Sequence, residues 1–403
     1  MFSLKLKKFF NNLIIFIILM AFFKPGIMEN YPFWNNIYNI YTLSISSIII
    51  IKYFYNKKIS KLQLVIMALM LFYFFTTAIG TKDFNAFFRF CLPTLAISIY
   101  SETKIKEDLN HFLQDISIIC FIEILINAIS IVKNPTGMYG EGMWGSYKYF
   151  MGYDNYSALT LIIGTVFIVL FNFYKNNRIG VTGIAALTLI LVSYLITWSA
   201  TPLIATVALI ICLLWMKKTN KEKKTILRYN LFFYLSIILF VCIVLFRLQD
   251  LISYFIENIL NKDLTFTGRT DIWDNSINYF LQSPFIGNGL CNFSTRRILV
   301  GIFHAHCTYL NVLIEGGIIG FTIYLIPFIM IGKKLKLFIK TKIVQIISIG
   351  FLCFFILTLM EVYEFNYVLY ILINIAYYVD YINKNNNIEK KRIKEDDDEY
   401  FNN

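Results

Sequence analysis

Apolar runs about as long as a bilayer is thick recur from one end of this chain to the other, and no other feature limits its fold so strongly. A bilayer core asks for about 20 predominantly apolar residues per helix. Runs of that kind lie at roughly 9–23, 37–55, 62–80, 84–100, 109–132, 155–174, 179–197, 199–216, 229–247, 308–331, 343–360 and 365–382, about twelve in all. Composition points the same way. The 403 residues are 58% apolar and 15% charged, where a soluble chain carries about 25% charged. The expected fold class is all-α integral membrane, about 12 transmembrane helices, with one long, partly helical outer loop between the ninth and tenth.

A formal charge of +12 could suggest nucleic acid, but the Lys and Arg residues sit in short clusters between apolar runs. Lys5/Lys7/Lys8, Lys57/Lys58/Lys61, Lys104/Lys106, Lys175/Arg178, Lys217 to Arg228, Lys333 to Lys342 and Lys384 to Lys394 occupy every second connection. By the positive-inside rule these faces are cytoplasmic. Lys24, Lys82, Lys133 and Lys148 are the cations of the opposite connections before residue 248. Both termini are expected inside and the long loop outside, and no nucleic-acid partner is expected. The N-terminal run lacks a small-residue cleavage site and reads as a retained first helix. The expected division is 1–247 (helices one to nine), 248–307 (outer loop), 308–382 (helices ten to twelve) and 383–403, a polar, disordered cytoplasmic tail whose Asp396, Asp397 and Asp398 read as a solvated terminus.

The seven cysteines show no CxxC or CxxH spacing, so no metal framework is expected. Cys291 and Cys307 share the outer loop and could pair, but two free thiols are the preferred reading. An earlier outer loop, 133–154, is rich in Gly and aromatic residues. It suits flat sugar faces or interfacial anchoring, with anchoring preferred. Two amphipathic helices are expected in the long loop. The first shows Leu248, Leu251, Ile252, Phe255, Ile256 and Ile259 on one face. The second is capped by Thr270, carries Asp271 at its positive end and stops at Ser283-Pro284, before a Gly287-Asn288-Gly289 turn.

Polar groups able to do chemistry gather in 267–320. His304 and His306 stand just before the tenth run, two of only three histidines, and a neutral imidazole is a base near neutral pH. In an extended segment alternate residues point apart, so at most one is expected to face a given substrate. Arg269, just ahead of the helix start, suits phosphate oxygens, or pairing with Asp271 or Asp274. Arg296 and Arg297 form the strongest positive patch on a face where few cations are expected, which calls for an anionic partner, lipid headgroups included. Arg89 in the fourth run can snorkel outward or meet a diphosphate in a cavity. Glu123 lies near mid-membrane with no partner nameable from sequence. Glu315, Glu361 and Asp154 could orient a base or an acceptor hydroxyl, or be structural.

The order Gly268-Arg269, Trp273, PFIGNG at 284–289 and HAHCTYLNVLIEGGIIG at 304–320 resembles the O-antigen ligase and polymerase superfamily. In that family the outer loop carries G-R, a tryptophan, P-x-x-G-x-G and an H-N-x-Y-L run. The resemblance implies a C-type glycosyltransferase-like enzyme with no metal or other cofactor, joining polyprenyl-diphosphate-linked oligosaccharides on the outer face of a bacterial cytoplasmic membrane. It implies membrane lipid, a chain-length regulator and a flippase as partners. By position, His306 matches the family's proposed base and Arg269 the arginine proposed to hold diphosphate. Arg296, Arg297, Arg89, His304, Trp273 and Tyr309 complete the expected substrate-binding set. Two departures bear on the reaction. Cys307 replaces the usual Asn, and Ser199-Ala200 replaces the serine-arginine pair of the ligases. The second favours a repeat-unit polymerase over a ligase and leaves Arg89, Arg296 or Arg297 to supply a second cation. A transporter or lipid-linked glycan flippase is the rival class, for which internal repeats and broken mid-membrane helices would be expected.

Overall fold

The computed structural model describes residues 13–55, 59–139, 147–218, 227–248, 269–301 and 304–384. After helical residues 13–20 and a short 3-10 turn Gly26–Asn30 come α1 (Pro32–Tyr55), α2 (Lys61–Ile79), α3 (Phe84–Glu107) and α4 (Leu109–Lys133). A hairpin of β1 (Lys148–Tyr149) and β2 (Gly152–Tyr153) follows. Next are α5 (Asp154–Asn176), α6 (Gly180–Thr197), α7 (Ala200–Lys218) and α8 (Tyr229–Leu239), which runs on into a π turn at Phe240–Leu245. The long loop contributes α9 (Arg269–Phe280) and α10 (Phe293–Val300), and the chain closes with α11 (Thr308–Leu337), α12 (Lys342–Thr358) and α13 (Tyr367–Tyr377).

Each of the apolar runs meets a helix. Among the described residues, seven helices are long and apolar enough to cross a membrane: α1, α2, α4, α5, α6, α7 and α11. Three more, α8 with its π turn, α12 and α13, are apolar but shorter. Apart from the β1–β2 hairpin the regular structure of the described residues is helical, and the length and composition of these helices are those of a multi-pass membrane protein. α5 and α12 are apolar on every side and sit at the centre, α5 packed on α4 and α12, and α12 on α7 and α8. A helix apolar all round belongs in such a position. α1 is largely exposed, and its apolar face is left for lipid.

The loop after α9 is locked into a break in α11. Gly317 (φ 60°, ψ −165°) interrupts that helix in a region essentially open to glycine alone. The break frees carbonyls on one side and N–H groups on the other, and the 284–289 segment satisfies both. The N–H groups of Asn288 and Gly289 donate to the carbonyls of Ile314 and Glu315 at 2.8 and 3.0 Å. The N–H groups of Ile318 and Ile319 donate to Pro284 and Phe285 at 2.9 and 3.1 Å. A Cβ on Gly317 would stand 2.4 Å from the Phe285 backbone. Irregular backbone inside a membrane protein persists where it is satisfied in this way. α2 completes the socket, with the Leu290 N–H donating to Thr77 Oγ1 at 3.0 Å.

Several expectations change. α9 already includes Arg269 and Thr270, so Thr270 is no cap. Its carbonyl accepts from Arg247 at 2.8 Å. Cys291 and Cys307 are both free, as the preferred reading had them, and both are buried. Of the aromatic loop, Tyr149 and Met151 turn inward, and the Met151 N–H donates to Asn127 at 2.9 Å. The expected amphipathic helix from Leu248 lies, beyond that residue, outside the described residues, as do Lys5, Lys7, Lys8 and the tail beyond 384.

Candidate active site

His304 and His306 occupy the segment between α10 and α11. His306 has φ 47°, a left-handed conformation that histidine adopts more readily than most residues. That one torsion removes the extended alternation expected of the pair. The two rings face each other with centroids 4.0 Å apart, and the His306 N–H donates to Nδ1 of His304 at 3.3 Å. Both histidines therefore address one place, against the expectation that they diverge.

Glu361 lies between them. It sits in the connection 359–366 between α12 and α13, with Oε1 3.4 Å from Nδ1 of His304 and Oε2 3.4 Å from Nδ1 of His306. Thr308, the first residue of α11, fixes this connection. Its hydroxyl donates to the Glu361 carbonyl at 2.8 Å and accepts from the Tyr363 N–H at 3.0 Å. Burial raises the cost of charge on Glu361, but His304, His306 and Arg269 outweigh it and hold the carboxyl down to about 2. Burial, partly opposed by Glu361 and reinforced by His306, Arg296 and Arg269, lowers His304 to about 4. His304 is thus neutral at pH 7, and its Nδ1 is the acceptor for the His306 N–H.

Arg269, half-buried at the start of α9, acts electrostatically on both Glu361 and His304. Arg296 does not reach outward. It is buried to 3% exposure, with Nη2 donating to Glu315 Oε1 at 2.5 Å and Nη1 to the Asn311 side-chain oxygen. The Asn311 amide donates to Glu315 at 3.0 Å and to Glu364 at 2.5 Å. Burial and the neighbouring Glu315 push Glu364 well above the usual carboxylate range.

The remaining expected site residues divide between cavity and packing. A cavity of about 240 Å³ is lined by Lys24, Arg89, Tyr156, Arg296, His304 and Glu361, among others. Arg89 is exposed, and Arg297 is exposed on α10. Trp273 is fully buried under the Arg247 guanidinium, 5.1 Å from the ring centroid. Tyr309 is also buried, bonded to the Ser236 hydroxyl at 2.9 Å and set edge-on to Phe240. Both stand in the helix packing. Glu123 is buried, with neither carboxylate oxygen hydrogen-bonded.

His304, His306 and Glu361 bring ligand atoms within 4.8 Å of one another, a donor set that zinc accepts. Two features oppose a cation there. The His304 Nδ1 lone pair already takes the His306 N–H, and Arg269 and Arg296 add positive charge beside it. What the arrangement offers chemically is a histidine base oriented by a carboxylate, next to an arginine able to neutralise an anionic leaving group. Sequence reasoning did not find Glu364 or the part played by Lys24. The signal available was Glu361 and Glu364 three residues apart on a face where charges are scarce.

No curated protein matches the chain. Residues 184–325 match the family model described as O-antigen ligase, a stretch that takes in α6 to α10, Arg269, both histidines and the first half of α11. Over this stretch the chain is similar to the O-antigen ligase family, in keeping with the resemblance to the O-antigen ligase and polymerase superfamily.

Proposed function

We propose that the protein is a polysaccharide polymerase of O-antigen or capsule type. It would move a growing glycan from its polyprenyl diphosphate to a sugar hydroxyl of another lipid-linked repeat unit. The observation that carries this reading is the sharing of Glu361 by His304 and His306 beside Arg269. Glu361 faces Nδ1 of His306, so a proton on that nitrogen leaves Nε2 as the free lone pair. Nε2 takes the proton of the attacking hydroxyl, whose oxygen bonds to the anomeric carbon. The bond from that carbon to the diphosphate breaks, and its electron pair leaves with the polyprenyl diphosphate, where Arg269 meets the developing charge. On this reading the displacement is direct and inverts the anomeric centre, with Glu361 serving to orient the histidines. No metal takes part.

On this reading all twelve apolar runs cross the cytoplasmic membrane, both termini are inside, and the histidines face outward. A chain-length regulator and a flippase are the implied partners. Deleting the gene and supplying back wild type, His306→Ala or Arg269→Ala tests it. Single repeat units on the lipid carrier in place of long chains, restored by wild type alone, is the expected result. Long chains stranded on the carrier would mean a ligase, a reading that the name of the matched family also favours. Repeat units trapped on the cytoplasmic face would mean a flippase. Polymer formation by purified protein is expected to survive a chelator.

A further inference from the structure

A polymerase has to hold two polyprenyl diphosphates at once, a demand that a ligase with a different acceptor does not share. The donor diphosphate is the leaving group, so it must touch the reacting carbon and lie beside the histidines, where Arg269 stands. The acceptor reacts through a hydroxyl some sugars away from its own diphosphate. Its anion therefore needs a second cationic site, set apart from the base but on a cavity that reaches the base's neighbours His304 and Glu361.

The cavity contains such a site. It extends from His304 and Glu361 to a wall made by the end of the first helix and by α3, where Lys24 and Arg89 both line it. Arg89 makes no hydrogen bond or ion pair among the described residues. Lys24 Nζ is held by two neutral acceptors, the side-chain oxygens of Asn35 at 2.7 Å and Asn39 at 3.2 Å, which leaves one of its three donors uncommitted. Glu29, which lines the cavity with both cations and acts on Lys24, is itself paired with Lys148 at 3.6 Å. Burial, and next the like charge of Arg89, lower the affinity of Lys24 for its proton, and both cations line the same cavity. Two cations on one cavity wall, neither ion-paired among the described residues and with the adjacent Glu29 paired to Lys148, form a site for a multiply charged anion. Tyr156 and Tyr367 line the same part of the wall, and tyrosine rings suit the face of a sugar next to that anion.

We propose that Lys24 and Arg89 bind the diphosphate of the acceptor lipid, while Arg269 serves the donor. The assignment rests on the polymerase reading. Its test uses two acceptors: the lipid-linked repeat unit that accumulates in gene-deleted cells, and the same oligosaccharide released from its diphosphate by mild acid. Purified wild-type and Lys24→Ala/Arg89→Ala proteins, in nanodiscs of neutral phosphatidylcholine, are given a long-chain lipid-linked donor and each acceptor in turn. The wild type is expected to prefer the diphosphate-bearing acceptor in kcat/KM. The double variant is expected to lose at least tenfold more with that acceptor than with the released oligosaccharide, and Arg89→Lys to recover part of the difference. Equal losses with both acceptors, or an undiminished preference, would overturn the proposal. So would a defect seen only when phosphatidylglycerol is included, since the site would then hold a lipid headgroup. A wild-type protein that extends neither acceptor would instead sink the polymerase reading itself.

Discussion

Arg269 and Arg296 come from the same outer loop and point into neighbouring polar clusters, yet the two clusters are built on opposite plans. Around Arg296 each partner is buried and directly hydrogen-bonded to the next, through Glu315, Asn311 and Glu364. Around Arg269 the two histidines are half-buried and approach the buried Glu361 only to 3.4 Å. One cavity touches both, at His304 and Glu361 and along the Arg296 network. A hydrogen-bonded network of buried charges holds elements in register and fails when one partner is removed. A looser cluster keeps lone pairs for something that arrives. The loop uses one arginine to fasten itself to α11 and leaves another beside the histidines, which the proposed reading gives to the substrate; sequence alone could not say which was which.

The comparison breaks most visibly in activity. His306→Ala is expected to slow polymer formation by about 10²–10⁴-fold, the usual worth of a general base, and Arg269→Ala by about 10²–10³-fold, with thermal unfolding little changed. Arg296→Ala should do the reverse, lowering stability by about 3–5 kcal/mol as Glu315 loses its buried partner, read as a fall in Tm and in detergent-extracted folded protein. Equal effects of the two arginines on stability would erase the distinction drawn here.

Acid should sharpen it. His304 titrates at about 4 in the folded protein, below its value of about 6.5 in the unfolded chain. Its contribution is full above pH 6.5 and is lost as pH falls through about 4, because the unfolded state then binds more protons. Glu361, held at about 2, adds stability that is present above its unfolded value of about 4.5 and fades at still lower pH. Stability is expected to drop by on the order of 2–3 kcal/mol between pH 7 and pH 4 on account of His304. His304→Gln should flatten that part of the profile in a pH series of Tm measurements. A last effect concerns the socket both clusters rest on. Gly317→Ala is expected to cost about 1–3 kcal/mol from its backbone conformation alone and more from a Cβ 2.4 Å from the Phe285 backbone, with activity lost as the 284–289 segment shifts.

Much of the scaffold was legible because a membrane demands a residue pattern that repeats along the chain, and each apolar run at 37–55, 62–80 or 155–174 has its helix in α1, α2 or α5. The loop's glycines signalled a turn, but the reason for it lies at Gly317, the partner break in α11, which reads in sequence as one more small residue in a span. His306 and Arg269 stood out by rarity and place. Glu361 stood only as one of three carboxylates able to orient a base, because what singles it out is α12 and α13 returning the connection 359–366 to the start of α11, a contact between residues distant in the chain that leaves no local pattern. The divergence expected of the two histidines failed for a similar reason, since a single left-handed torsion at His306 is invisible in the residue type. Trp273 and Tyr309 drew attention as aromatic residues in a functional stretch, and both are packing residues between helices.

The central claim is that the histidine pair on Glu361 performs transfer between two lipid-linked glycans. The most direct measurement is product length by gel from purified protein and lipid-linked repeat units alone, with wild type beside His306→Ala. A ladder of lengthening chains from the wild type, absent from the variant at equal folded concentration, is the expected result. A ladder from His306→Ala at the wild-type rate would contradict the account.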